Sequence, residues 1–122
     1  MKDVLAIAIG GFVGAILRYV VGLWVPPVQL FPLGTLLINW IGCLFLGWFL
    51  TMTLNKWKVP PHLRLAIGTG VTGAFTTFST FSVETLLLLK ANHALLALSY
   101  VAASVAGGVL LAWIGFRLAK LA

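Results

Sequence analysis

The chain is predicted to be an all-α membrane protein of four transmembrane helices, the third broken at mid-membrane. Hydrophobic residues make up 61% of its 122 residues and charged residues only 8%, whereas a soluble domain carries about 25% charge. So few charges cannot cover a water-facing surface. Four stretches, residues 4–25, 33–54, 63–89 and 94–119, are long and apolar enough to cross a bilayer, since a span needs about 20 residues rising about 1.5 Å each. In the third stretch the poorest helix formers fall at the centre. Little chain remains outside the spans, so residues 1–122 are expected to form one membrane-embedded unit without a soluble catalytic module.

In the first span, Lys2 before an apolar run imitates a signal peptide. No small-residue cleavage site follows, and the run continues past Arg18 to Val25, so the segment is expected to be retained. Gly10, Gly14 and Ala15 read as a surface for close helix packing. Arg18 lies seven residues before the span's end, about 10 Å from the interface. It can snorkel, or it can line an aqueous vestibule that attracts anions; the sequence leaves both open. Pro26, Pro27 and Pro32 stop the helix.

In the second span, Thr35 and Asn39 are four apart and share a face. Asn39 can glue helices together, or the pair can begin a wet track. Cys43, the only cysteine, excludes an internal disulfide and reads as a small apolar residue. In the fourth span Tyr100 and Ser104 share a face with Gly108, and Gly107 lies beside it. Taken alone, Ser104 reads as a hydroxyl bonded back to its own helix. Glu84 is the only acid inside a span, which makes it a functional candidate.

The net charge is +6. Lys2, Lys56, Lys58, Arg64, Arg117 and Lys120 fall on one side of the four-span plan and Lys90 on the other, a six-to-one bias that places both termini in the cytoplasm. Basic residues at span ends suit lipid headgroups better than nucleic acid. Trp24, Trp48, Trp57 and Trp113 lie near span ends, as interfacial belts do, while Trp40 is deeper and reads as packing.

The run from Gly68 to Ser82 is rich in glycine, β-branched and hydroxyl residues, and Thr76 marks the midpoint of the third span. Two half-helices separated by unwound backbone fit this run better than a continuous helix. Such backbone survives at depth only when buried in protein or lining water. Its carbonyls can hold a cation, and a half-helix N-terminus can face an anion. Phe78 and Phe81 share a face beside the break. Their ring edges are electropositive, and Ser79, Thr80 and Ser82 add hydroxyl donors.

Residues 73–84, GAFTTFSTFSVE, resemble the signature of the small bacterial fluoride channels, the Fluc or CrcB family. Residues 10–19, GGFVGAILRY, and 34–42, GTLLINWIG, resemble the family's first two span motifs. The resemblance implies an antiparallel, dual-topology dimer in the bacterial inner membrane, with two pores and passive fluoride efflux. It implies that Phe78 and Phe81 line the pore, with Asn39, Ser79, Thr80, Tyr100 and Ser104 along a polar track. Thr35 and Glu84 would stand at one pore end, and Arg18 in a vestibule. A structural Na+ at the dimer centre would be held by the backbone carbonyls of Gly73 and Thr76 from both subunits.

Two features depart from that picture. Gly108 stands where a further hydroxyl would extend the track beyond Ser104. The charge bias favours one orientation, whereas an antiparallel homodimer needs both; on the resemblance a homodimer is preferred to a pair with a second chain. A proton-coupled multidrug exporter of the small four-span kind is the main alternative, but it needs a carboxylate at the centre of its first span, where this chain has none. An assembly subunit would not need polar residues on several spans. No nucleophile, base and orienting group come together as an enzyme would require.

Overall fold

The computed structural model describes residues 1–28 and 30–122; Gln29, within the first predicted connection, lies outside the described residues. Among the described residues three helices are long and apolar enough to cross a membrane: α1 (Lys2–Trp24), α2 (Leu33–Asn55) and α6 (Ala94–Leu121). Between α2 and α6 the chain is in pieces. A short α3 (Pro61–Leu65) opens with proline in its first turn, where no amide hydrogen is needed. It runs into a π-helical segment, Ala66–Val71, and then α4 (Thr72–Phe75). Thr76 and Thr77 are extended, and α5 (Phe78–Lys90) follows.

The expected unwinding of the Gly68–Ser82 run is therefore confined to two residues. The glycine-rich part stays helical but widens into a π turn, and the hydroxyl of Thr72 bonds to the carbonyl five residues back, at Ile67 (3.1 Å). Close packing with α1 coincides with this widening. A methyl at Gly10 would collide with the carbonyl oxygen of Ala66, and one at Gly14 with that of Val71. Gly10 and Gly14 are thus close-packing positions as expected, whereas Ala15 is exposed.

The chain enters α2 through a bridge in which the Val28 and Phe31 amides each donate to the other's carbonyl (3.2 and 3.0 Å). Asn92 ends α5 with φ of 61°, a left-handed conformation that asparagine tolerates. The neighbouring His93 amide returns to the Leu88 carbonyl (2.9 Å).

α2 and α6 run parallel and close. Gly47 lies against the Ala112 carbonyl, and Gly115 against that of Leu44. Gly107 leaves room for the ring of Trp40, whose indole nitrogen donates to the Ala103 carbonyl (3.1 Å). Trp40 is thus a packing residue, as its depth suggested. A core of Leu36, Leu88, Ala97 and Tyr100 closes the α2–α5–α6 side, with Phe31, Trp40 and Phe81 against it. The helix directions gather Lys2, Lys56, Lys58, Arg64, Arg117 and Lys120 at one end and leave Lys90 at the other. At the basic end Arg117 lies over the Trp113 ring and Lys120 over Phe116.

A candidate ion pathway along the second and fifth helices

The break is held from α2. The Asn39 side-chain oxygen accepts from the Thr77 amide (2.8 Å), and its nitrogen donates to the Thr77 carbonyl (3.1 Å). Asn39 therefore joins helices, but its partner is the irregular backbone rather than another side chain. In a continuous helix the Thr77 amide would serve the Gly73 carbonyl, four residues back. That donor is spent on Asn39. Thr76 turns both its amide and its hydroxyl to the Thr72 carbonyl (3.0 Å each). Its methyl fits against Gly42, where a Cβ would collide with it.

Thr77 also starts the next helix. Its hydroxyl accepts from the Thr80 amide (3.1 Å) and donates to the Thr80 hydroxyl (2.9 Å), with the Ser79 hydroxyl 3.3 Å away. This N-cap, of a kind worth about 0.5–2 kcal/mol, was not among the residues singled out from the sequence. A threonine just before an apolar-periodic run was the available signal. Ser82 bonds back to the Phe78 carbonyl (2.8 Å).

Beyond the cap a row of rings follows. Phe78 and Phe81 are tilted with centroids 5.7 Å apart, Phe81 and Tyr100 are 5.2 Å apart, and Phe31 meets Tyr100 edge to face at 5.5 Å. Phe81 is half-buried, whereas Phe78 is 80% exposed at the surface of the single chain. The two rings share a face, as their spacing suggested.

At the far end of the row, Glu84 receives two hydroxyls. Thr35 donates to Oε1 (2.8 Å) and Tyr100 to Oε2 (2.7 Å). Thr35 and Glu84 are brought together, and Tyr100 joins them rather than pairing with Ser104. The Ser104 hydroxyl is buried and has no partner among the described residues, so the expected bond back to its own helix is not made. Gly108 is buried near the Cys43 sulfur.

Two cavities flank this line. One of about 590 Å3 opens beside Thr35 and Glu84 and reaches His93, Pro27 and Gly22. The other, about 300 Å3, is lined by Asn39, Gly73, Thr76, Thr77 and Phe78 among others. Arg18, half-buried on α1, lines neither. The structure thus unites Asn39, Phe78, Phe81, Ser79, Thr80, Tyr100, Thr35 and Glu84 along one side, places Gly73 and Thr76 at its start, and leaves Arg18 apart from it.

Long apolar helices that carry hydroxyls, an amide and a carboxylate define a multi-pass membrane protein. The comparisons with known proteins are specific. A family profile described as "CrcB-like protein, Camphor Resistance (CrcB)" matches residues 5–116. The chain is 49% identical over 119 residues to a fluoride-specific ion channel FluC of Oceanobacillus iheyensis, covering 98% of this chain and 92% of the relative. It is 45% identical over 118 residues to FluC 2 of Geobacillus kaustophilus, covering 95% and 92%. It is 49% identical over 119 residues to FluC 1 of Moorella thermoacetica, covering 96% and 85%. The chain belongs to the CrcB family, a family of bacterial membrane ion channels and not of enzymes.

Proposed function

We propose that this chain is one subunit of a fluoride-selective channel that releases fluoride passively from the cytoplasm. The observation that carries the reading is the uninterrupted sequence of anion-compatible groups from the break to Glu84: the hydroxyls of Thr77, Ser79 and Thr80, the rings of Phe78 and Phe81, and the hydroxyls of Tyr100 and Thr35. Fluoride is small and strongly hydrated. A pore must replace its water with donors, yet bind weakly enough to let it leave. Neutral hydroxyls, an amide and ring edges do this without the fixed cation that would trap the ion. The unpartnered Ser104 hydroxyl is one further donor for such a path.

In this reading α3, the π segment, α4 and α5 together make the third span, broken at Thr76 and Thr77. Two chains pair antiparallel and enclose two pores. The 80% exposure of Phe78 supports a partner chain over that ring. A structural Na+ would sit between the chains on the carbonyls of Gly73 and Thr76. The residues fit this role, because the Gly73 carbonyl has lost its helical donor to Asn39 and Gly73 faces open space. The ion would supply hard-cation binding to oxygen and a positive potential favouring nearby anions. Thr35 and Glu84 serve the pore end, and Arg18 the vestibule. The six-to-one charge bias leaves pairing with an oppositely oriented second chain as the competitor to the homodimer.

Liposomes loaded with fluoride and read with a fluoride electrode test the function. Release above that of empty liposomes, without a proton gradient and with chloride excluded, is expected; release equal to empty liposomes refutes the reading. Phe81→Ile, which keeps bulk and removes the ring edge, should cut the flux strongly while the dimer persists. Cysteines placed near Lys56 and labelled from each side of intact cells test the pairing, since labelling from the cytoplasm alone excludes the homodimer.

A further inference from the structure

We propose that Asn39 is the positioning residue that keeps the break open, by acting as a surrogate peptide for Thr77. An amide side chain carries one acceptor and a pair of donors on one planar group. Here it meets both backbone groups of a single residue, at 2.8 and 3.1 Å. That arrangement discriminates between backbone conformations. In a helix the N–H and C=O of one residue point in opposite directions along the axis. In an extended residue they point to the same side, as in the hydrogen-bonded pairs of an antiparallel sheet. Thr77 is extended, with φ −147° and ψ 116°. Asn39 can satisfy both of its groups only while it remains so, and it offers nothing comparable to a helical Thr77.

The same two bonds fix the side chain. Flipping the Asn39 amide would oppose oxygen to carbonyl and nitrogen to amide, so Thr77 sets its orientation. One Asn39 N–H is committed to the Thr77 carbonyl, and the other remains for the cavity that Asn39 lines with Gly73, Thr76 and Phe78. The inference deepens the channel reading by making Asn39 act chiefly through the backbone at 77 rather than only as a donor to the ion. It rests on that reading for its consequence but not for its geometry.

The test is amide hydrogen exchange at Thr77, followed in the full-length chain reconstituted in lipid nanodiscs, with fluoride flux measured in parallel. In the parent chain the Thr77 amide should exchange as slowly as interior amides of α5. Asn39→Ala should speed that exchange about tenfold or more, the scale of a buried hydrogen bond, with α2 and the interior of α5 unchanged. Asn39→Asp keeps the acceptor for the Thr77 amide and loses the donor to its carbonyl. It should retain most of the protection at Thr77 while flux falls. Fast exchange of Thr77 in the parent chain, or equal protection in parent and Asn39→Ala, overturns the proposal. If Asn39→Ala does not fold, the parent measurement and Asn39→Asp still decide. Protection as expected without any fluoride flux would defeat the channel and leave the clamp standing; flux with an unprotected Thr77 would do the reverse.

Discussion

Tyr100→Phe removes one oxygen from the molecule and leaves nearly everything else in place. Tyr100 is fully buried. Its ring is held by Phe31 at 5.5 Å and Phe81 at 5.2 Å, so a phenylalanine keeps the stack. What is lost is the 2.7 Å bond to Glu84 Oε2, which leaves Thr35 as the remaining donor to that carboxyl group among the described residues. Thr35 and Tyr100 both donate to Glu84, and bonds to a charged acceptor contribute about 1.5–3 kcal/mol against about 0.5–1.5 for neutral ones. Within a membrane the gain falls toward about 0.6 kcal/mol where the unfolded chain finds other partners. The buried site and short distance argue for the upper part of that range, so a loss of about 1.5 kcal/mol is expected.

The assay is a double-mutant cycle with Glu84→Gln, following unfolding of the solubilised chain by denaturant. Glutamine keeps the size and one carbonyl oxygen, so the hydroxyls can still bond, but only as neutral pairs. The coupling between the substitutions should then be about 1 kcal/mol, the difference between charged and neutral bonds. A coupling below about 0.5 kcal/mol, the range within which independent sites add, would refute the reasoning. Flux gives a second check. Because the Tyr100 hydroxyl is already turned to Glu84, Tyr100→Phe should slow fluoride release much less than Phe81→Ile.

Gly14→Ala would drive a methyl into the Val71 carbonyl, and should cost about 1–3 kcal/mol of stability in the same unfolding assay. Gly73→Ala meets nothing within 4 Å in the single chain, so its stability should hold or rise by about 0.5–1 kcal/mol, whereas loss of the dimer on cross-linking would place the partner at that position. Thr77→Val removes the cap on Thr80 and should cost about 0.5–2 kcal/mol, while Thr77→Ser, which retains the hydroxyl, should stay near the parent.

The long helices were legible because membrane length and hydropathy leave few alternatives. Prediction and structure agree closely at α1, α2 and α6, where the expected residues 4–25, 33–54 and 94–119 meet Lys2–Trp24, Leu33–Asn55 and Ala94–Leu121. The irregular third stretch was legible in kind but not in extent. Propensity marked the whole Gly68–Ser82 run as weak, yet tertiary packing overrode it. With Gly10 and Gly14 of α1 packed against Ala66 and Val71, residues 66–71 stay in a π-helical turn, and irregularity collects where Asn39 supplies substitute bonds. No pattern within the run could reveal that, because the deciding residue lies 38 positions away. Spacing paired Tyr100 with Ser104 and Thr35 with Asn39. It could not show that Tyr100 and Thr35 both turn to Glu84 from different helices.

In the proposed channel, the two ends created at Thr76 and Thr77 would let one short interruption serve ions of opposite sign. A helix that stops leaves carbonyls without donors, and a helix that starts leaves amide groups in its first turn. In most breaks water or nearby side chains quench both ends. Here they are treated unequally. The Thr77 amide is taken by Asn39, which leaves the Gly73 carbonyl without its helical donor, and Thr77 itself caps α5 at Thr80. The negative end of α4 and the positive end of α5 therefore face the gap from opposite sides, with Gly73 on one and Phe78 on the other. Neither end carries a formal charge, so an ion drawn to either is held by dipoles and can leave again. A charged side chain at the same depth would bind more tightly and conduct less. That contrast gives a physical reason for the proposed path to run on hydroxyls, amides and rings, with the Glu84 carboxyl group kept at one end and already engaged by Thr35 and Tyr100.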